Sequence, residues 1–60
     1  MNSDKKSNIF IADDHNLVRQ GIVAILKNRG IFTIVGEASD GAQAVRMVKE
    51  LKPDIIIMDI

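Results

Sequence analysis

Three aspartates in this 60-residue sequence come directly after apolar runs. Their carboxylates are the side chains best suited to bind a metal ion or to act as a nucleophile. Asp13 and Asp14 come directly after the apolar run at residues 9–12. Asp59 comes directly after the run at residues 55–58. If both runs are neighbouring parallel strands, whose backbones lie ~4.8 Å apart, the carboxylates converge and repel one another unless a cation lies between them. All-oxygen ligation favours Mg²⁺, so the spacing predicts a metal site at these three aspartates.

The same aspartates are suited to phosphoryl chemistry. A metal would neutralise an incoming phosphoryl group and leave one carboxylate free to attack it. Asp59 is the predicted nucleophile, because it ends the more buried strand while Asp13 and Asp14 lie on a strand-to-helix turn. An acidic pair before a helix is also common without a metal, since it favours capping and the helix dipole. The convergence of all three carboxylates favours the metal site, and His15 beside them is interpreted as a solvated polar residue.

The placement of the three aspartates depends on the order of the predicted elements, which is strand, helix, strand, helix, strand. Residues 9–12 and 55–58 are continuous apolar runs, typical of strands that are buried on both faces. Residues 32–38 have a mixed composition that is typical of an edge strand. The first helix ends at Gly30, and the second begins at Asp40.

Each predicted helix has an apolar stripe that is expected to face the sheet. In the first helix the stripe consists of Leu17, Val18, Gly21, Ile22, Ile25 and Leu26. In the second helix it consists of Ala44, Val45, Val48 and Leu51, with Met47 outside the stripe. Pro53 then prevents the second helix from continuing.

Strands that are separated by helices predict an α/β fold with a parallel sheet and right-handed crossovers. If the mixed strand is an edge, the first strand lies in the middle, which gives the order 2-1-3 with one helix on each face. The switch point then falls at the carboxyl ends of the first and third strands, where the aspartates are. A mononucleotide-binding half of a dinucleotide fold is disfavoured, because Asp13-Asp14-His15 stands where that fold has glycines.

Composition excludes several classes of protein. The chain has 8 basic and 8 acidic residues and no cysteine, which argues against a dedicated nucleic-acid surface, a disulfide-stabilised secreted scaffold and a thiolate metal site. Its apolar runs are far shorter than the ~20 residues of a membrane span, so we expect no membrane partner and a cytoplasmic location. The polar segment at residues 1–7 is predicted to be a flexible tail.

Three segments closely resemble the receiver domain of bacterial two-component response regulators, and most of all the NarL/LuxR-type transcriptional regulators. The segments are IADDH at 11–15, VGEASDG at 35–41 and KPDIIIMDI at 52–60. The resemblance implies a flavodoxin-like, CheY-like fold with strand order 2-1-3-4-5, of which residues 8–60 would form only the first βαβαβ half. It also implies that Asp59 is the phosphoacceptor and that Asp13 and Asp14 are the acidic Mg²⁺-binding pair.

The resemblance further implies partners and a role. The phosphodonor would be a sensor histidine kinase, and DNA would be bound only through a C-terminal helix-turn-helix domain outside this sequence. The chain would be a regulatory phosphoacceptor rather than a true enzyme. The family's switch Ser/Thr, active-site Lys and fourth and fifth strands also lie outside the sequence.

One alternative is a noncatalytic half-domain that persists only by pairing with another chain. The third strand would be an unpaired aliphatic edge, which proteins avoid. We therefore expect a homo-oligomer joined through the third strand if these 60 residues fold by themselves.

Overall fold

The computed structural model describes residues 6–59. Its elements are β1 (Ser7–Asp13), α1 (Asn16–Arg29), β2 (Phe32–Ala38), α2 (Gly41–Leu51) and β3 (Ile55–Asp59). The strands form one parallel sheet in the order β2-β1-β3. The predicted α/β fold with strand order 2-1-3 is confirmed.

The polar segment that was predicted to be a tail is described only in part. Residues 1–5 lie outside the described residues, and Lys6 is exposed. Ser7 already pairs with Phe32 in the sheet, so β1 begins within the predicted tail and two residues before the apolar run.

Local sequence sets the helix ends. Gly30 follows α1 in the left-handed conformation, with φ at 73°, which a glycine adopts without strain. The Asp40 carboxylate accepts a 2.8 Å hydrogen bond from the Gln43 N–H, and the Gln43 side chain accepts one from the Ser39 N–H at 3.2 Å. This is a capping box displaced by one residue, and it confirms the predicted start of α2.

Two apolar clusters lie on opposite faces of the sheet, because successive β1 side chains point to opposite sides. The cluster below α2 contains Phe10, Ala12, Ala38 and Ala44, with Met47 and Val48 packed against it. The cluster below α1 contains Ile9, Ile11 and Val23, with Ile22, Leu26, Phe32, Ile34 and Ile57 packed against it. The core therefore lies on both sides of β1.

The buried faces of both helices differ from the predicted stripes. In α1, the residues that contact the core are Ile22, Val23 and Leu26, whereas Leu17, Val18 and Ile25 are exposed. In α2, Met47 packs against the core while Val45 is 54% exposed, so the prediction for this pair was wrong. The apolar residues of α1 span more than half of the circumference of the helix. Because α1 packs on β1 and β2, the sheet covers only part of that apolar arc.

β3 was predicted to be buried on both faces, and this prediction was wrong for the described residues. Ile55, Ile56 and Met58 are exposed, and only Ile57 reaches a core cluster. The physical reason is that both helices pack over β1 and β2, so neither covers β3.

Gly36 provides a test of the packing between β2 and α2. The register of β1 and β2 shifts between Ile9 and Phe10, and a Cβ on Gly36 would lie 2.8 Å from Cδ1 of Leu51 and 3.1 Å from the Phe10 ring. We expect Gly36→Ala to lower the free energy of unfolding of the full-length protein by about 1–2 kcal/mol, because the buried ring must shift. Urea denaturation measures this change.

Gly21→Ala is the matched control for Gly36→Ala. A Cβ on Gly21 meets nothing within 4 Å, and alanine favours the helix by up to ~1 kcal/mol. Equal urea midpoints for the Gly36 variant and the parent protein would contradict the packing argument.

Candidate functional site

The three predicted aspartates lie at the end of the sheet where β1 and β3 reach their carboxyl ends. Asp13 and Asp59 are register partners across the two strands, so their side chains project from the same face. Asp14 is the next residue along the chain, in the turn that leads into α1. The Asp13 side chain is 2% exposed and that of Asp14 is 55% exposed, while Asp59 is also exposed. One carboxylate is thus enclosed, and two are open to a ligand from solvent.

The turn after β1 orients the acidic pair. Oδ1 of Asp13 accepts a 2.8 Å hydrogen bond from the His15 N–H, which forms a tight Asx turn. Nδ1 of His15 lies 2.9 Å from Oδ1 of Asp14 and 3.5 Å from Oδ1 of Asp13. His15 is the N-cap of α1, although its side chain makes no capping hydrogen bond. Its imidazole is largely exposed, as expected for a solvated residue, but its contact with Asp14 was not predicted.

The donor atoms of this turn fit a hard cation. One ligand atom from each of Asp13, Asp14 and His15 lies within 4.8 Å of the others. Carboxylate oxygens suit Mg²⁺, which accepts one or two of them and keeps several waters, whereas an imidazole suits softer metals. Asp59 lies outside that close group and is placed beside it by its register with Asp13. Of the donor atoms in this turn, the carboxylate oxygens are therefore the ones that suit Mg²⁺, and His15 is their neighbour.

Arg19 is a further residue at the site, and it was not predicted from the sequence. Its Nη1 donates to the carbonyl oxygen of Asp13 at 2.7 Å, and its Nε donates to Oε1 of Glu37 at 3.1 Å. Its Nη2 donates to Oδ1 of Asn16 at 2.6 Å. The signal in the sequence is a charged residue three positions before Ile22, on the face of α1 that turns to the sheet.

Comparison with known families decides what kind of domain carries this arrangement. Residues 9–60 match the response regulator receiver domain family. The chain belongs to the response regulator receiver family. This finding confirms the resemblance in the sequence, and it gives no support to a noncatalytic half-domain.

Two relatives of this receiver are transcriptional regulatory proteins from Bacillus subtilis strain 168. LiaR is 44% identical over 52 residues, which are 87% of this chain and 25% of LiaR. YdfI is 46% identical over 52 residues, which are 87% of this chain and 24% of YdfI. The chain thus spans about a quarter of the length of the curated relatives that it matches.

The fold of this receiver is also similar to a solved structure. The signal receiver domain of NarL from Mycobacterium tuberculosis superposes with a TM-score of 0.89 at 40% identity, covering 92% of this chain and 44% of that chain. The similarity confirms a CheY-like receiver fold and the likeness to NarL-type regulators. Within residues 6–59, neither helix has the length and apolar character that a membrane crossing needs.

Proposed function

We propose that this receiver is a phosphoacceptor whose Asp59 takes up a phosphoryl group in a Mg²⁺-dependent reaction. The observation that carries the proposal is the pairing of Asp13 with Asp59 at the ends of β1 and β3, with Asp14 in the adjoining turn. An exposed carboxylate beside a buried one supplies both an accessible nucleophile and a fixed metal ligand. Receiver domains as a family bind Mg²⁺ through acidic residues, which agrees with this division of roles.

In the proposed reaction, a carboxylate oxygen of Asp59 attacks the phosphorus of a phosphohistidine on a sensor histidine kinase. A P–O bond forms, the P–N bond breaks, and its electron pair returns to the imidazole of the kinase. Asp13 and Asp14 would hold Mg²⁺ together with Asp59, and the ion supplies positive charge for the phosphoryl oxygens. The enclosed position of Asp13 keeps one carboxylate fixed while Asp59 remains open to the donor.

The proposed role is control of transcription in the cytoplasm. LiaR and YdfI are named as transcriptional regulatory proteins, and the regulated output of this receiver would be of the same class. DNA would be contacted by a separate C-terminal domain rather than by residues 6–59, since the chain has a net charge of +0. The domain would act as a switch that holds a phosphoryl group, and not as an enzyme that turns over a substrate.

Removal of the metal tests the proposed function. The full-length protein is incubated with acetyl phosphate as a small-molecule donor, and intact mass spectra follow the phosphoryl adduct. We expect adduct formation with Mg²⁺ and a rate at least roughly 100-fold lower with EDTA, because a bound cation stabilises the developing charge by several kcal/mol. Addition of excess Mg²⁺ should restore the adduct. An unchanged rate in EDTA would contradict the proposed dependence on metal.

A further inference from the structure

We propose that Arg19 is a positioning residue that orients Asp13 and Asp14 for Mg²⁺. This inference rests on the proposed function, because it concerns the metal pair of that same site. Arg19 does not itself supply an oxygen ligand, and it acts through the backbone between the two aspartates.

The three hydrogen bonds of the Arg19 guanidinium join three elements. Its acceptors are the carbonyl of Asp13 at the end of β1, the Asn16 amide in the first turn of α1, and the Glu37 carboxylate on β2. The side chain is 13% exposed, so the surrounding protein holds it in place. A planar guanidinium with three acceptors in different directions has one favourable orientation.

The bond to the Asp13 carbonyl bears directly on the metal pair. The carbonyl of Asp13 and the N–H of Asp14 belong to one planar peptide unit, so fixing the oxygen also fixes the direction in which Asp14 leaves β1. The Asp13 carboxylate is fixed separately, by its hydrogen bond from the His15 N–H. Arg19 therefore governs the placement of Asp14 relative to a carboxylate that is already held.

The effect of Arg19 is geometric more than electrostatic. Its charge is balanced by Glu37, whose Oε1 lies 3.1 Å from Nε and also accepts from Gln20 at 3.1 Å. A lysine at position 19 would keep the positive charge but could not present three donors in a fixed plane. Charge and geometry can thus be separated by substitution.

The test measures Mg²⁺ affinity by titration calorimetry in the full-length protein. We expect Arg19→Gln and Arg19→Lys to weaken binding by about 10–100-fold, the usual effect of losing an outer-shell partner. The matched control is Arg29→Gln, an exposed arginine on the same helix, which should stay within about twofold of the parent protein. In phosphorylation by acetyl phosphate, the Mg²⁺ concentration for half-maximal rate should rise by the same factor, while the rate at saturating Mg²⁺ recovers.

Thermal unfolding without metal separates positioning from a general loss of structure. A purely structural role would lower the melting temperature without moving the affinity of the folded fraction. If Arg19→Gln does not fold, Glu37→Ala tests the positioning role in its place. This variant removes one of the three acceptors of Arg19 at a partly exposed position. We expect this variant to weaken Mg²⁺ binding by roughly 3–10-fold, less than the loss of the whole guanidinium.

The outcomes distinguish this inference from the proposed function. A parent protein that binds no Mg²⁺ would overturn both. A parent that binds Mg²⁺, with folded Arg19 variants that match the Arg29→Gln control, would overturn the positioning role alone. Wild-type affinity in Arg19→Lys would also overturn it, since charge and not geometry would then suffice.

Discussion

The Asp59→Asn variant of the full-length protein should form no phosphoryl adduct with acetyl phosphate. An amide oxygen can still lie near a metal, but it is a poor nucleophile and cannot form the acyl phosphate. Because the reacting atom itself is lost, the expected effect is complete loss rather than a reduced rate. Intact mass spectra at saturating donor and Mg²⁺ measure the adduct.

Two further substitutions give this prediction its controls. Asp14→Asn should slow uptake at least about tenfold at limiting Mg²⁺ and less at saturating Mg²⁺, because it weakens metal binding without removing the nucleophile. Asp40→Asn should react like the parent protein, since Asp40 caps α2 and lies outside the close group of Asp13, Asp14 and His15, and asparagine caps equally well. An undiminished adduct in the Asp59→Asn protein would show that another side chain accepts the phosphoryl group.

A polypeptide of these 60 residues alone should not persist as a stable monomer. So small a chain buries only roughly 60% of the surface that its unfolded form exposes, which leaves little margin over the entropy of folding. The margin is reduced further here, because Ile55, Ile56 and Met58 on β3 are exposed. Pairing of β3 with a second copy would cover its free edge. We expect sedimentation velocity to report a dimer or larger assembly whenever the polypeptide is folded.

Substitution on β3 tests whether self-association uses that strand. Ile56→Lys should disperse the assembly, because it places a charge on a 45% exposed position of the edge strand. Ile31→Lys is the matched control, since Ile31 is the same residue type, is also exposed at 59%, and lies in the connection between α1 and β2. A cooperative thermal transition from a monomer, confirmed by sedimentation at low concentration, would contradict the prediction.

Much of the fold could be predicted because its signals are local. Gly30 and Asp40 mark helix ends through hydrogen bonds and backbone angles within a few residues. The apolar run at residues 9–12 identified the central strand, and the mixed composition of residues 32–38 identified one of the two edge strands. That contrast predicted the strand order that the structure has, and with it that Asp13 and Asp59 lie at the ends of neighbouring strands.

The residues that each helix buries could be identified only from the tertiary structure. Periodicity identifies an apolar arc on a helix, but the part of that arc that is covered depends on how many strands lie below it. In α2 the sheet covers Met47 and leaves Val45 exposed, and in α1 it leaves Leu17 exposed. The exposure of β3 has the same origin, because a strand's composition does not state whether a helix lies over it.

The sequence by itself determined the order of the elements and the motifs that identify the family. It also determined that the three aspartates lie where β1 and β3 end, because this placement depends only on neighbouring residues and on strand order. Only the tertiary structure decided that Arg19 contacts the Asp13 carbonyl and that His15 lies against Asp14. The bond from Arg19 to Glu37 joins residues that are 18 positions apart in the chain. Such a contact depends on the register of β2 beside β1 and on the rotation of α1 over both strands, and no local pattern specifies either.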